Sequence, residues 1–134
     1  MDHFIQKLSD LLQQPLPGWT AQKHLMPEGR KLERLGDNLH PAAVLISLYQ
    51  QDGEWLFPLI RRTIDGFAHS GQIALPGGRR DGTESNIQTA LREAHEEVNI
   101  LPELVEVIGK TSLLPIPVSN HIVQPVVGYT RDKP

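Results

Sequence analysis

The stretch from Ser85 to Val98 constrains this chain most, because it places two separate demands on one helix. Ile87, Leu91, Ala94 and Val98 recur at three- and four-residue spacing, with Ala90 beside them, and so line one face. Such a stripe has to be laid against another layer of structure. Glu93, Glu96 and Glu97 lie three and four residues apart on a different flank, where like charges cost a helix roughly 0.2 to 0.5 kcal/mol per pair. No Lys or Arg stands four residues after Glu93, so the flank reads as uncompensated, and a divalent cation would reverse the sign of its cost. Ser85 and Gln88 have the spacing of a capping box that opens this helix.

The layer beneath the stripe is expected to be a sheet. Ala42 to Tyr49 is a continuous apolar run, which suits a strand covered on both faces, and Gln50 to Gly53 reads as a turn into a second strand from Glu54 to Arg62. Gln72 to Leu75 is a short strand running into Pro76-Gly77-Gly78, where two glycines let the backbone approach something closely. Leu104 to Leu114, stopped by Pro115 and Pro117, and Ile122 to Thr130 complete the strands; Ile116 to Asn120 between them is read as a loop that could border a substrate. Phe4, Ile5, Leu8, Leu11 and Leu12 mark an amphipathic helix over residues 3 to about 14, and from Pro15 to Pro41 few regular elements are expected. The fold class is therefore α/β, a mixed sheet with helices packed on it. Residues 1–41 form a helical and extended lead-in, and residues 42–134 the main domain.

A chain of 134 residues supports one core and not two. Its net charge of -3 argues against a nucleic-acid platform, so no nucleic-acid partner is expected. With no cysteine, disulfides and thiolate zinc sites are excluded. The first residues lack the basic start and apolar run of a secretory signal, and no run of about 18 apolar residues occurs, so no membrane partner is expected and the location is read as cytoplasmic.

Grouped carboxylates are the hard oxygen ligands that Mg²⁺, Mn²⁺ or Ca²⁺ require, and Mg²⁺ leaves several positions to water and substrate phosphate. The Gly77-Gly78 loop offers free backbone groups to phosphates, and Arg61, Arg62, Arg79 and Arg80 flank it. These parts fit hydrolysis of a phosphoanhydride: metal would neutralise two phosphoryl groups and lower the pKa of a bound water, and a carboxylate would take its proton. His69 and His95 are expected to be surface histidines rather than catalytic ones.

Gly78, five residues, Glu84, seven residues, then Arg92-Glu93-Ala94-His95-Glu96-Glu97-Val98-Asn99-Ile100 resembles the Nudix box, G-x5-E-x7-R-E-U-x-E-E-x-G-U, where U is bulky and aliphatic. Six matches at fixed offsets arise by accident at roughly one start in ten million. Ala94 is smaller than the usual aliphatic, and Asn99 replaces the second glycine, a position where Asn tolerates left-handed backbone. The resemblance implies a Nudix hydrolase with an α/β/α sandwich, dependent on Mg²⁺ or Mn²⁺. It implies metal-binding and catalytic roles for Glu93, Glu96 and Glu97, a backbone ligand at Gly77 or Gly78, and a bracing ion pair between Glu84 and Arg92. Members usually continue with a further strand and long helix. This chain stops at Pro134, so those are expected to be missing, with the N-terminal helix or a second copy in a homodimer covering that face.

Upstream, Leu59, Arg62, Gly71, Pro76, Gly77 and Gly78 match the pattern L-L-T-x-R-[SA]-x3-R-x3-G-x3-F-P-G-G of the coenzyme A diphosphatase branch, while Pro58, Ile60, Thr63, Phe67 and Leu75 depart from it. Phe67 stands where a second arginine, a phosphate contact, is usual. Coenzyme A or a derivative is thus the small-molecule nucleotide substrate first implied, with Arg62, His69 and Arg79 as substrate contacts. ADP-ribose, NADH or a nucleoside triphosphate would use the same mechanism. A Nudix-fold nucleotide-binding module without turnover is the reading from another class.

Overall fold

The computed structural model describes residues 2–22, 39–61, 71–116 and 119–134, without the side chains of Trp19 and Thr20. Helix α1 (His3–Leu12) starts where the Asp2 side chain accepts from Phe4 N at 2.7 Å, and a short α2 (Trp19–Gln22) follows. Strand β1 (His40–Gln51) turns at Asp52 and Gly53, both at positive φ, into β2 (Glu54–Leu56). Two short pieces follow, β3 (Ile60–Arg61) and β4 (Ile73–Ala74), then β5 (Gly77–Arg79). Helix α3 (Asn86–Val98) leads through a 3-10 turn at Pro102–Leu104 to β6 (Glu106–Lys110), β7 (Leu114–Ile116) and β8 (His121–Tyr129).

The sheet runs β2-β1-β8-β6, with β5 beside β1 and β7 beside β8; β1 and β8 are parallel and their other pairings antiparallel, so it is mixed. Alternation along β1 sends Ala43 and Leu45 to one face and Ile46 and Leu48 to the other. On the first face Ala90 and Ala94 of α3 pack on Ala43, Leu45 and Val126, with Ile87, Leu91 and Val98 around them. On the second, Ile5, Leu8 and Leu12 of α1 pack on Leu48, Ile108 and Val127. The result is an α/β/α sandwich whose second layer is the N-terminal helix. Burying each Leu, Ile or Val there contributes roughly 1.5 to 3 kcal/mol.

Two expected strands come out differently. Glu54 to Arg62 is broken after Leu56, because Pro58 has no N–H for the ladder, and Ile60 and Arg61 pair with Ala74 and Ile73 instead of β1. Leu104 to Leu114 is also divided: β6 ends at Lys110, and Pro115 sits inside β7 rather than ending a strand. Among the described residues β7 is an edge piece paired only to β8, where a proline is tolerated. Of the loop from Ile116 to Asn120, Pro117 and Val118 lie outside the described residues.

Both ends of α3 follow from local chemistry. Gln88 N donates to Ser85 Oγ (3.1 Å) and Ser85 N to Gln88 Oε1 (2.8 Å), a complete capping box. At the other end Asn99 takes φ 56, ψ 36, Asn99 N donates to His95 O (3.0 Å), and Ile100 N to Ala94 O (3.3 Å). Replacing Ser85→Ala is expected to remove about 1 kcal/mol of stability, seen as a thermal midpoint lower by roughly 4 °C.

Candidate functional site

The sequence places glycine twice where β5 meets α3, for two different reasons. A Cβ on Gly77 would lie 2.3 Å from Ala43 O and 2.7 Å from Val44 Cα, so β1 itself excludes one. A Cβ on Gly78 would lie 2.7 Å from Glu93 Cδ and 2.8 Å from Oε1, so the Glu93 carboxylate rests where a side chain would be. Glu97, one helical turn on, accepts from Gly77 N at 3.0 Å. Both carboxylates therefore abut the backbone of the glycine pair.

Arg92 organises the other half of the site. Its Nε donates to Glu84 Oε2 (2.8 Å) and its Nη2 to Glu84 Oε1 (3.1 Å), a bidentate pair. Glu84 Oε1 also accepts from Asp81 N (2.8 Å) and Thr89 Oγ1 (3.1 Å), and Arg92 Nη2 reaches Arg79 O (3.2 Å). One carboxylate and one guanidinium thus tie the segment from Arg79 to Glu84 onto α3. The Arg92 bonds, with the Asp81 amide next, hold the Glu84 carboxyl down at about 2 from its ordinary 4.5, and the same pairing raises Arg92. A depressed carboxyl contributes stability that is complete above the unfolded value and lost as pH falls through the folded one. Between pH 4.5 and about 2, wild type is expected to lose stability more steeply than Glu84→Gln, as measured by thermal midpoints across that window.

The acidic flank is partly compensated. Arg92 Nη1 donates to Glu93 Oε1 (2.9 Å) and to both oxygens of Glu96 (3.3 Å each), so the cation precedes the carboxylates rather than following Glu93 by four residues. The side chain of Glu93 is 19% exposed and that of Glu96 57%. Glu96 is drawn toward Arg92 and Glu97 toward Gly77, and among the described residues no three acidic or histidine side chains converge as a ready metal cage. The donors nevertheless fit a hard divalent cation: carboxylate oxygens beside a bare glycine backbone.

Arg79 is exposed and its Nη2 lies 2.9 Å from His40 Nδ1. The His40 and His121 rings are 5.8 Å apart. Burial, then the Arg79 and His40 charges, push His121 below its ordinary value. Neither histidine stands out in the sequence; they meet because β1 and β8 run parallel in register, His40 opposite His121. Arg80 bonds Asn86 Oδ1 (2.7 Å), and His95 is exposed. Arg62, His69 and Phe67 lie outside the described residues. None of the three glutamates lines the cleft of about 640 Å³ between Leu101, Leu104 and Tyr129.

A family model for the NUDIX domain matches residues 38–130. The chain is 46% identical over 100 residues to the protein called uncharacterized Nudix hydrolase NudL of Enterobacter sp. (strain 638), covering 73% of this chain and 50% of that one. It is 42% identical over 96 residues to Nudix hydrolase 15, mitochondrial, of Arabidopsis thaliana, covering 69% and 33%. The chain thus spans half or less of the length of these relatives. The crystal structure of a Nudix hydrolase from M. smegmatis, RenU, superposes with a TM-score of 0.58 at 25% identity, covering 70% of this chain and 63% of that one.

Proposed function

The chain belongs to the Nudix family, and on that premise we propose that it hydrolyses the diphosphate of a nucleoside diphosphate linked to another group, with coenzyme A or a derivative as first candidate. The observation that carries this reading is the packing of Glu93 and Glu97 against Gly77 and Gly78, braced by the Arg92–Glu84 pair. Glu93, Glu97 and Glu96 would hold Mg²⁺ or Mn²⁺ with a backbone oxygen of Gly77 or Gly78. When bound there, the cation would supply Lewis acidity at the diphosphate. Glu97 fixes the Gly77 amide and with it the strand that faces the phosphates. Glu96 is assigned the proton from water, an assignment its greater exposure than Glu93 supports. Arg92 Nη1 bridges Glu93 and Glu96 and orients both. Arg79 is assigned to substrate phosphate, as are Arg62 and His69 from the resemblance.

One observation favours a nucleotide-binding module without turnover: Arg92 already hydrogen-bonds two of the three carboxylates, so part of their repulsion is offset without a metal. A panel of diphosphates including coenzyme A, ADP-ribose and NADH, assayed with Mg²⁺ and with Mn²⁺, separates the readings. Cleavage of coenzyme A into two phosphate-bearing products is expected. Cleavage of another member alone would move the substrate, and turnover of none would leave the binding module.

A further inference from the structure

His40 opens β1, His121 opens β8, and the parallel register sets them side by side. Antiparallel pairing of β5 with β1 puts Arg79 opposite Ala42. Because Ala43 faces α3, alternation places Ala42, His40 and Arg79 on the opposite face of the sheet. Gly78, next in the chain, opposes Ala43 and meets Glu93 on the α3 face. Two chemically opposite sites therefore lie back to back across a single strand. That strand pairs only with β1 among the described residues, and its Gly77-Gly78 edge carries no side chains to separate the two faces.

A guanidinium has no acceptor, so at the 2.9 Å contact Arg79 donates and His40 Nδ1 accepts, which leaves the His40 proton on Nε2, directed away. His40 N is tied to Asn120 O at 2.8 Å, holding the start of β1 to the loop before β8. Among the described residues no carboxylate forms an ion pair with Arg79, His40 or His121. Arg79 and His40 face His121, and the Ser119 backbone accepts from its ring. His40 and Arg79 are exposed and His121 half-buried. Arg79 brings one positive charge without a counter-ion, His40 a directed Nε2–H beside it, and His121 a ring that gains a second donor on protonation; together they have the character of an anion receptor, and a phosphate dianion has the charge and the oxygens to satisfy them.

The geometry points to His40, Arg79 and His121 as a phosphomonoester subsite that selects nucleotides carrying a phosphate on the ribose in addition to the diphosphate that is cleaved. This deepens the proposed function and rests on it for the link to catalysis. The diphosphate would lie on the α3 side, by Glu93 and Glu97, and the ribose phosphate would reach the cationic face over the bare glycine edge. A nucleotide without that phosphate would leave the Arg79 charge and the His40 Nε2–H without an anionic partner.

Two measurements test it. Calorimetric titration in excess EDTA compares adenosine 3′,5′-bisphosphate with AMP. Wild type is expected to bind the bisphosphate about ten-fold more tightly or better, the scale of a charge-assisted hydrogen bond. His40→Gln and His121→Gln, each verified as folded by circular dichroism, are expected to bring the ratio of the two affinities toward one. Equal affinities in wild type, or an advantage that survives in both variants, would overturn the subsite. In parallel, coenzyme A and 3′-dephospho-coenzyme A are hydrolysed with Mg²⁺ and the ratio of their kcat/KM is followed in the same variants, where it is expected to fall toward one. Cleavage of neither compound, with the bisphosphate advantage intact, would remove the proposed reaction and support the subsite as a binding feature. An unchanged kcat/KM ratio in both variants would count against it.

Discussion

Glu97→Gln and Glu93→Gln are each expected to lower diphosphate turnover by about 10²- to 10³-fold while the fold persists. The amide substitution separates chemistry from structure at both positions. A glutamine at position 97 would keep an oxygen for the Gly77 amide, so the 3.0 Å contact that fixes β5 can survive. A glutamine at position 93 would keep an oxygen for Arg92 Nη1, now 2.9 Å away, and its similar volume still fits against Gly78. What each variant loses is a negative charge where a divalent cation and a developing phosphoryl charge would be met. Thermal midpoints within a few degrees of wild type, beside the loss of rate, are the expected combination. Wild-type rates in both variants would remove Glu93 and Glu97 from the site.

The largest structural effect is expected at Gly77→Ala. The new Cβ would fall 2.3 Å from Ala43 O, 2.6 Å from Val44 Cγ1 and 2.7 Å from Val44 Cα. Two of these atoms are backbone of the central strand, so β5 has to leave β1. That movement breaks the Val44–Gly77 pairing and the adjacent Leu45 N to Pro76 O bond of 2.9 Å. A cost of about 3 kcal/mol is expected, lowering the thermal midpoint by roughly 10 °C and abolishing turnover with it. Gly109→Ala is the useful contrast. Its Cβ would meet Leu12 Cβ at 2.9 Å and Cδ1 at 3.0 Å; Cδ1 can rotate away and Cβ moves only with α1, so the helix has to shift slightly off the sheet while the β-ladder stays intact, at a cost of about 1 to 2 kcal/mol. Equal midpoints for the two variants would show that β5 yields more readily than its backbone contacts imply.

The helix and its chemistry were legible because they are local. The stripe from Ile87 to Val98, the Ser85 cap and the left-handed Asn99 each depend on residues within a few positions of one another. The strands were less so, since a strand is defined by a partner that periodicity does not name. Pro58 ended a run that looked continuous, and Pro115 was accommodated because β7 lies at an edge. The relief of the acidic flank by Arg92 was hidden for a related reason. Arg92 precedes Glu96 by four residues, but its bond to Glu93, the next residue, is a matter of side-chain conformation and not of helical spacing. His40 and His121 are far apart in the chain and only the parallel register of β1 and β8 joins them.

Binding of Mn²⁺, followed by the loss of the free-ion electron paramagnetic resonance signal on titration with protein, tests the central claim most directly, because it does not depend on knowing the substrate. Wild type is expected to bind Mn²⁺, each of Glu93→Gln and Glu97→Gln to weaken that binding about ten-fold or more, and the double variant to abolish it. Identical titrations for wild type and the double variant would contradict the assignment of the α3 carboxylates as the metal site.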